Sequence, residues 1–84
     1  MMLTWHAHAW EDYLYWQATD KKILKRINTL IKAIQRDPFH GIGKPEALKS
    51  NLQGFYSRRI TEEHRIVYTV IDDTIVIAQS RYHY

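Results

Sequence analysis

The stretch HRIVYTVIDDTIVIAQS, residues 64–80, has the pattern of an antiparallel β-hairpin. Two runs rich in Ile and Val, His64–Ile71 and Thr74–Ser80, flank the polar pair Asp72-Asp73. Only antiparallel neighbours can be joined by so short a link. A further run of this type, Phe55–Ile60, precedes them across the polar residues 61–63. The second half of the chain is therefore predicted to form a three-stranded antiparallel meander.

The first half of the chain predicts one short strand and two helices. Leu3 and Trp5 alternate with polar residues, which indicates an opening strand with one buried face. Aromatic residues recur at helical spacing over His8–Gln17 and predict a first helix. A second helix begins at Thr19-Asp20, where a capping side chain is available, and ends at Asp37-Pro38, because the residue before proline is driven out of the helical region. Its apolar stripe consists of Ile23, Ile27, Leu30 and Ile34.

These elements predict an α+β domain with the element order β-α-α-β-β-β. The two helices would pack on one face of a small, mainly antiparallel sheet and leave its other face partly open. Residues 39–51 contain two glycines and a proline, so they are predicted to form a loop. At 84 residues the chain is long enough for one modest core. Residues 1–84 are therefore expected to form a single domain.

Composition excludes several classes of protein. The chain has no cysteine, so it has neither a disulfide framework nor a thiolate metal site, and no other metal-ligand spacing is present. No apolar run approaches the roughly 18 residues of a membrane span, and there is no signal-peptide pattern, which predicts a soluble cytoplasmic protein. The net charge of +3 favours an anionic partner such as nucleic acid. The basic residues of the second helix are interpreted as a solvated face rather than as a nucleic-acid-binding stripe.

The last four residues, Arg81-Tyr82-His83-Tyr84, carry the side chains best suited to chemistry. An imidazole stands between two phenols and behind a guanidinium, and these groups serve proton transfer, stacking and phosphate contact. The alternative is that Tyr82 and Tyr84 merely cap a sheet edge and that His83 is a solvated tail, since polar residues at chain ends usually face solvent. Alternation along the His64–Ile71 run turns Arg65 toward the open face of the sheet. Further candidates for the same face are Arg59 from the neighbouring strand and Lys44, Glu46 and Lys49 from the loop.

One reaction suits this set of side chains, namely RNA cleavage in which the substrate's own 2′-hydroxyl attacks the adjacent phosphate. The enzyme then needs a base, an acid and cations for the developing charge, and it is expected to need no metal or cofactor. Glu46 is the candidate base and His83 the candidate acid. Tyr82, Tyr84 or Phe55 are candidates for stacking on splayed bases.

Four segments of the chain resemble the YoeB toxins of the RelE/ParE superfamily. They are DYLYWQ, GKPEALK, SRRITEEHRIVY and the terminal RYHY, and the resemblance covers essentially the whole chain. It implies a microbial-ribonuclease-like fold and a ribosome-dependent endoribonuclease that cuts mRNA in the ribosomal A site. It also implies a YefM-type antitoxin and a homodimer. The roles that it implies are general base for Glu46, general acid for His83 and phosphate-stabilising cation for Arg65, with Lys49, Arg59 and Tyr84 as supporting contacts.

Two functions of other classes are compatible with the same scaffold. A ParE-like protein would poison a topoisomerase as a binding module, and it would not need Glu46, Arg65 and His83 together. A non-catalytic RNA- or antitoxin-binding domain would use its basic residues only for charge contacts. It would therefore tolerate a charge-preserving change such as His83→Lys, whereas a nuclease would not.

Overall fold

Five strands and two helices make up the fold, as the computed structural model of residues 1–84 shows. The strands form one sheet with the order β1-β5-β4-β3-β2, in which β1 runs parallel to β5 and all other pairs are antiparallel. This arrangement confirms the predicted α+β class and the mainly antiparallel sheet. The elements are β1 (Met2–Trp5), α1 (Ala7–Thr19), α2 (Lys21–Arg36), β2 (Glu46–Ala47), β3 (Tyr56–Arg59), β4 (Arg65–Ile71) and β5 (Thr74–Gln79).

Helix α2 is specified by its cap and by its apolar stripe. Asp20 lies at the N-cap, where its carboxylate accepts hydrogen bonds from the backbone N–H groups of Lys22 and Ile23 at 3.0 and 3.1 Å. A cap of this kind stabilises a helix by about 1 kcal/mol. Three members of the stripe, Ile27, Leu30 and Ile34, are buried in the core, as is the neighbouring Ile31, whereas Ile23 is half-buried.

Helix α1 holds the end of the chain. Its N-cap residue, His6, makes no side-chain capping bond, so α1 depends on tertiary contacts. The buried carboxylate of Asp12 accepts the backbone N–H of Ser80 at 3.1 Å, and the indole N–H of Trp16 donates to the Ser80 carbonyl at 2.8 Å. Ser80 also donates its hydroxyl to the carbonyl of Ala9. Both backbone groups of Ser80 are therefore fixed to α1, immediately before the terminal tetrapeptide.

The two faces of the sheet differ as the alternation predicts. Ile66 and Tyr68 of β4 and Ile75 and Ile77 of β5 are fully buried on the helix side. Full burial of such side chains stabilises the fold by roughly 1.5–3 kcal/mol each. The pairing of β4 with β5 shifts by one residue between Val67 and Tyr68 of β4, which marks a β-bulge in β5 near the end of the chain. The other face of the sheet carries no helix.

The predicted loop over residues 39–51 needs correction, because it contains a strand. Residues of β2 pair with β3 in the register Glu46↔Ser57 and Ala47↔Tyr56, and a 3-10 turn follows at Ser50–Leu52. A strand of two residues is too short to show an alternating pattern. Its position at the sheet edge brings Glu46 into the sheet itself. No helix of the protein is long and apolar enough to cross a membrane.

Candidate active site

A shallow depression of about 210 Å³ opens on the face of the sheet that lacks helices. Its ionisable members are three cations, one carboxylate and one imidazole, so positive charge is in excess even when the imidazole is neutral. Such a surface concentrates phosphate-bearing ligands. Six of the eight residues predicted for the site line it, together with one residue that was not predicted: Lys44, Glu46, Arg59, Arg65, His83 and Tyr84, with Ser57.

Strand register explains why these residues meet. Glu46 of β2 lies opposite Ser57 of β3, and Arg59 of β3 lies opposite Arg65 of β4. Side chains two residues apart on a strand share a face, so Ser57 and Arg59 point the same way. The depression is therefore built on three adjacent strands, which hold the carboxylate and two guanidinium groups more rigidly than a loop would.

Arg65 lies on the predicted face, yet it is nearly buried, with 8% of its surface exposed. Its Nη1 atom donates to the carbonyl oxygens of Thr61, Glu62 and His64 at 2.7, 3.0 and 3.1 Å. These three acceptors belong to the turn between β3 and β4. They fix one end of the guanidinium and leave Nη2 and Nε for a ligand in the depression.

The end of the chain reaches the depression through Tyr84. The phenol hydroxyl donates to Oε1 of Glu46 at 2.9 Å and accepts from the hydroxyl of Ser57 at 3.3 Å. The imidazole of His83 is exposed, and its Nδ1 lies 3.2 Å from the Tyr84 carbonyl oxygen. Tyr84 is thus held at the Glu46 carboxylate, whereas the hydrogen bond of the His83 imidazole is to the residue next to it.

Lys44 enters the depression because of an unusual backbone turn. Gly43 has φ +84°, and a Cβ atom there would lie 2.7 Å from a methyl group of Leu30. Only glycine fits this close approach. The Gly43 carbonyl accepts the backbone N–H of Arg59 at 2.7 Å, so the loop is tied to β3 directly before Lys44.

Two predicted residues lie outside this depression. Lys49 lines a neighbouring, wider depression of about 480 Å³ that shares Glu46 and Tyr84 with the first. Tyr82 lines neither of them. Its ring is 57% exposed and lies 4.5 Å from the guanidinium carbon of Arg81, so it stacks on an arginine beside the site rather than facing Glu46.

Sequence reasoning missed Ser57 and Arg58. Ser57 shares the β3 face of Arg59, and this two-residue alternation was the available signal. Arg58 points to the helix side and is completely buried. Its guanidinium donates to the carbonyls of Asp37, His40 and Ile42 at 2.7, 3.1 and 3.2 Å.

Two acid groups next to Arg58 have shifted pKa values. Burial raises the pKa of Tyr68, whose hydroxyl accepts from Arg58 Nε at 3.1 Å and donates to the Pro38 carbonyl at 2.6 Å. The hydrogen bond from Arg58 acts in the opposite direction but does not cancel the effect of burial. The backbone N–H of Phe39 donates to the Asp37 carboxylate and is the main reason why its pKa is lowered. The hydrogen bonds of Arg58, Tyr68 and Asp37 order the start of the loop that carries Lys44.

No group of three or more His, Cys, Asp or Glu side chains is placed to hold a metal ion. The side chains of the depression can instead transfer protons and neutralise a phosphate. A carboxylate accepts a proton, an imidazole donates or accepts one, and two guanidinium groups, of which that of Arg65 is fixed by hydrogen bonds, stabilise negative charge. This set suits acid–base chemistry at a phosphodiester.

Comparison with known proteins identifies the family. Residues 5–84 match the YoeB-like toxins of bacterial type II toxin-antitoxin systems. Toxin YoeB of Escherichia coli strain K12 is 64% identical over 84 residues, with 100% of both chains covered. The YoeB/ParE toxin from Agrobacterium tumefaciens has a TM-score of 0.97 and 46% identity, with 100% of both chains covered.

Solved structures of the Staphylococcus aureus YoeB are also similar. Its dimer has a TM-score of 0.92 and 56% identity, and its complex with YefM has a TM-score of 0.91 and 55% identity. Both comparisons cover 100% of this chain and 98% of the other. The family predicted from DYLYWQ, GKPEALK, SRRITEEHRIVY and RYHY is confirmed: the chain belongs to the YoeB-like toxins of bacterial type II toxin-antitoxin systems.

Proposed function

We propose that the protein is a ribosome-dependent endoribonuclease that cleaves mRNA in the ribosomal A site and so inhibits translation. In this proposal the ribose 2′-hydroxyl attacks the adjacent phosphate without the help of a metal. Glu46 takes the hydroxyl proton, His83 protonates the departing 5′-oxygen, and Arg65 stabilises the charge that builds on the phosphate. Lys44, Lys49 and Arg59 hold the RNA backbone.

The observation that supports this proposal most strongly is the convergence of Glu46, Arg65 and His83 on one open depression. They come from β2, β4 and the chain end, so their meeting is a property of the fold rather than of local sequence. A positioned acid or base contributes about 10²- to 10⁴-fold to the rate. The pair, with cationic stabilisation, is therefore sufficient for a useful rate without a nucleophile from the protein.

The contact between Tyr84 and Glu46 indicates how substrate enters. The phenol hydroxyl donates to Oε1, while Oε2 makes no hydrogen bond to the protein. A ribose 2′-hydroxyl can approach Oε2, so that Tyr84 orients the carboxylate, or it can displace the phenol from Oε1. In both cases Tyr84 acts on the base, and its loss should slow cleavage less than the loss of Glu46.

The proposed partners follow from the relatives and from the charge of the open face. The Staphylococcus aureus YoeB was solved as a dimer and in complex with YefM, which supports a homodimer and a YefM-type antitoxin for this chain. A cationic face is a natural dock for an acidic segment that folds on binding. A ribosomal substrate also places the protein in the cytoplasm.

Toeprinting of a translated message tests the proposal. Added protein should produce new stops within the A-site codon, and Glu46→Ala should abolish them. Glu11→Gln is the matched control, since this carboxylate is exposed on α1 and lies outside the depression. Unchanged stops with Glu46→Ala, or no stops with the parent protein, would contradict the proposed activity.

A further inference from the structure

The backbone of Tyr82 is held by two consecutive residues at the start of β4. Its N–H donates to Nδ1 of His64 at 2.7 Å. Its carbonyl accepts the N–H of Arg65 at 2.9 Å. Both polar groups of the Tyr82 backbone are thus tied to the strand that carries the phosphate-binding arginine.

Tyr82 adopts a backbone conformation that its own sequence does not favour. Its φ is +66°, in the left-handed region, which residues other than Gly, Asn and Asp rarely adopt. Such a conformation persists only where surrounding contacts impose it. The turn at Tyr82 redirects the chain so that His83 and Tyr84 reach the depression, so these contacts determine where the imidazole of His83 lies.

His64 is itself rigidly placed. Its half-buried ring meets the indole of Trp16 edge to face, with ring centroids 4.8 Å apart. Its backbone N–H donates to the Thr61 hydroxyl at 3.1 Å. Trp16 also binds the Ser80 carbonyl, so one aromatic residue supports both His64 and the chain before the turn.

The hydrogen bond defines the state of the His64 ring. An N–H donor needs a lone pair on Nδ1, so the neutral ring carries its proton on Nε2. An aromatic ring without this acceptor would keep the contact with Trp16 but leave the Tyr82 N–H without its partner. The acceptor and the ring can therefore be tested separately.

We propose that His64 is a positioning residue for the C-terminal acid, and that its Nδ1 atom holds Tyr82 in the turn that presents His83 to the substrate. This inference rests on the proposed nuclease function. His64 touches neither substrate nor reacting atoms, and it acts through Tyr82, whose backbone N–H it binds and whose ring lies 5.8 Å from its own, centroid to centroid. Displacing a reacting group by about 1 Å can slow an enzyme by about 10²-fold.

Three variants separate the acceptor from the ring. His64→Asn keeps an acceptor close to the position of Nδ1, His64→Gln moves it toward the position of Nε2, and His64→Phe keeps only the ring. Single-turnover cleavage on programmed ribosomes and amide hydrogen exchange of Tyr82 are measured for each. We expect H64Q and H64F to cleave about tenfold or more slowly, with faster exchange at Tyr82, while H64N stays near the parent. Half-saturating ribosome concentration should be unchanged, because Lys44, Arg59 and Arg65 remain in place.

Equal cleavage and equal Tyr82 protection in H64F and the parent would overturn the proposal. So would loss of activity in H64N while its Tyr82 amide stays protected, since His64 would then act by another route. Should H64F unfold, the comparison of H64N with H64Q, whose side-chain amides differ only in position, decides by the same two measurements. Should the parent itself fail to cleave, the proposed function fails, and the exchange measurements alone decide whether His64 holds the turn.

Discussion

At the scale of single residues, Arg58 and Arg59 show how burial separates two neighbouring arginines. Arg58 is completely buried and has no carboxylate partner, but three backbone carbonyls and the Tyr68 hydroxyl accept its hydrogen bonds. A buried charge is tolerated only when its hydrogen-bonding groups are satisfied in this way. Arg59 is exposed and lines the depression. The first arginine is therefore structural, and the second is free to contact a ligand in the depression.

The same substitution at these two positions should affect different properties: stability at Arg58 and RNA binding at Arg59. Arg58→Met leaves three carbonyls without their donor, so it should lower the free energy of unfolding by about 3 kcal/mol or more. Arg59→Met should change stability by less than about 0.5 kcal/mol, as is usual at the surface, but should weaken RNA binding. Urea denaturation of both variants, with cleavage assays, checks this. Equal stability of the two variants would contradict the structural role of Arg58.

At the scale of elements, the terminal segment after β5 has two parts with different functions. Ser80 and Tyr82 are bound to α1 and β4 through their backbones, whereas His83 and Tyr84 are exposed, and Tyr84 is held by side-chain hydrogen bonds to Glu46 and Ser57. Removing the last two residues should thus cost little stability. Their chemical contribution is expected to be much larger.

A chain ending at Tyr82 should fold and bind its antitoxin, but should no longer cut mRNA at a useful rate. We expect its stability to stay within about 1 kcal/mol of the parent and its cleavage to slow by about 10²-fold or more. A chain ending at His83 is the control, because it keeps the imidazole and loses the contacts of Tyr84 to Glu46, Ser57 and His83. Melting temperature and single-turnover cleavage are measured together. Cleavage within about threefold of the parent by the shorter chain would place the acid elsewhere.

Sequence patterns predicted both helices and every strand of four or more residues. The apolar stripe of α2 and the helix-side face of β4 lie where the periodicity of their side chains predicts. The two-residue strand β2 was not predicted, because its pairing with β3 depends on a partner distant in sequence. Base stacking by Tyr82 stays a prediction, and the sequence did not predict its left-handed turn or the position of its ring beside the Arg81 guanidinium. Pairing and turns of this kind depend on tertiary contacts that local propensity does not encode.

At the scale of the whole molecule, the two faces of the sheet differ in composition and in role. The helix side contains the core, and the open side contains the depression with its excess of cations. Arg65 is already almost buried, so an antitoxin can cover it only slightly further. Arg59 and Lys44 are exposed and offer the charge that an acidic segment would meet.

Antitoxin binding should therefore abolish cleavage by covering this face. Arg59→Glu should weaken the complex, and more so at low salt, because exposed charges are screened at high ionic strength. Lys25→Glu on α2 changes the net charge equally but lies outside the depression, so it serves as the control. Titration of toxin variants with antitoxin measures the difference. Full cleavage activity in a stable complex would contradict occlusion of the site.

Attack by the substrate's own 2′-hydroxyl is the central claim, and the chemical ends of the cut mRNA test it most directly. Messages cleaved on programmed ribosomes are isolated, and the new 3′ ends are analysed, with Glu46→Ala in parallel. We predict 2′,3′-cyclic or 3′-phosphate ends for the parent protein and no new ends for the variant, because no water molecule or metal-bound hydroxide acts as the nucleophile. A 3′-hydroxyl end would show attack by water, and it would contradict the roles assigned to Glu46 and His83.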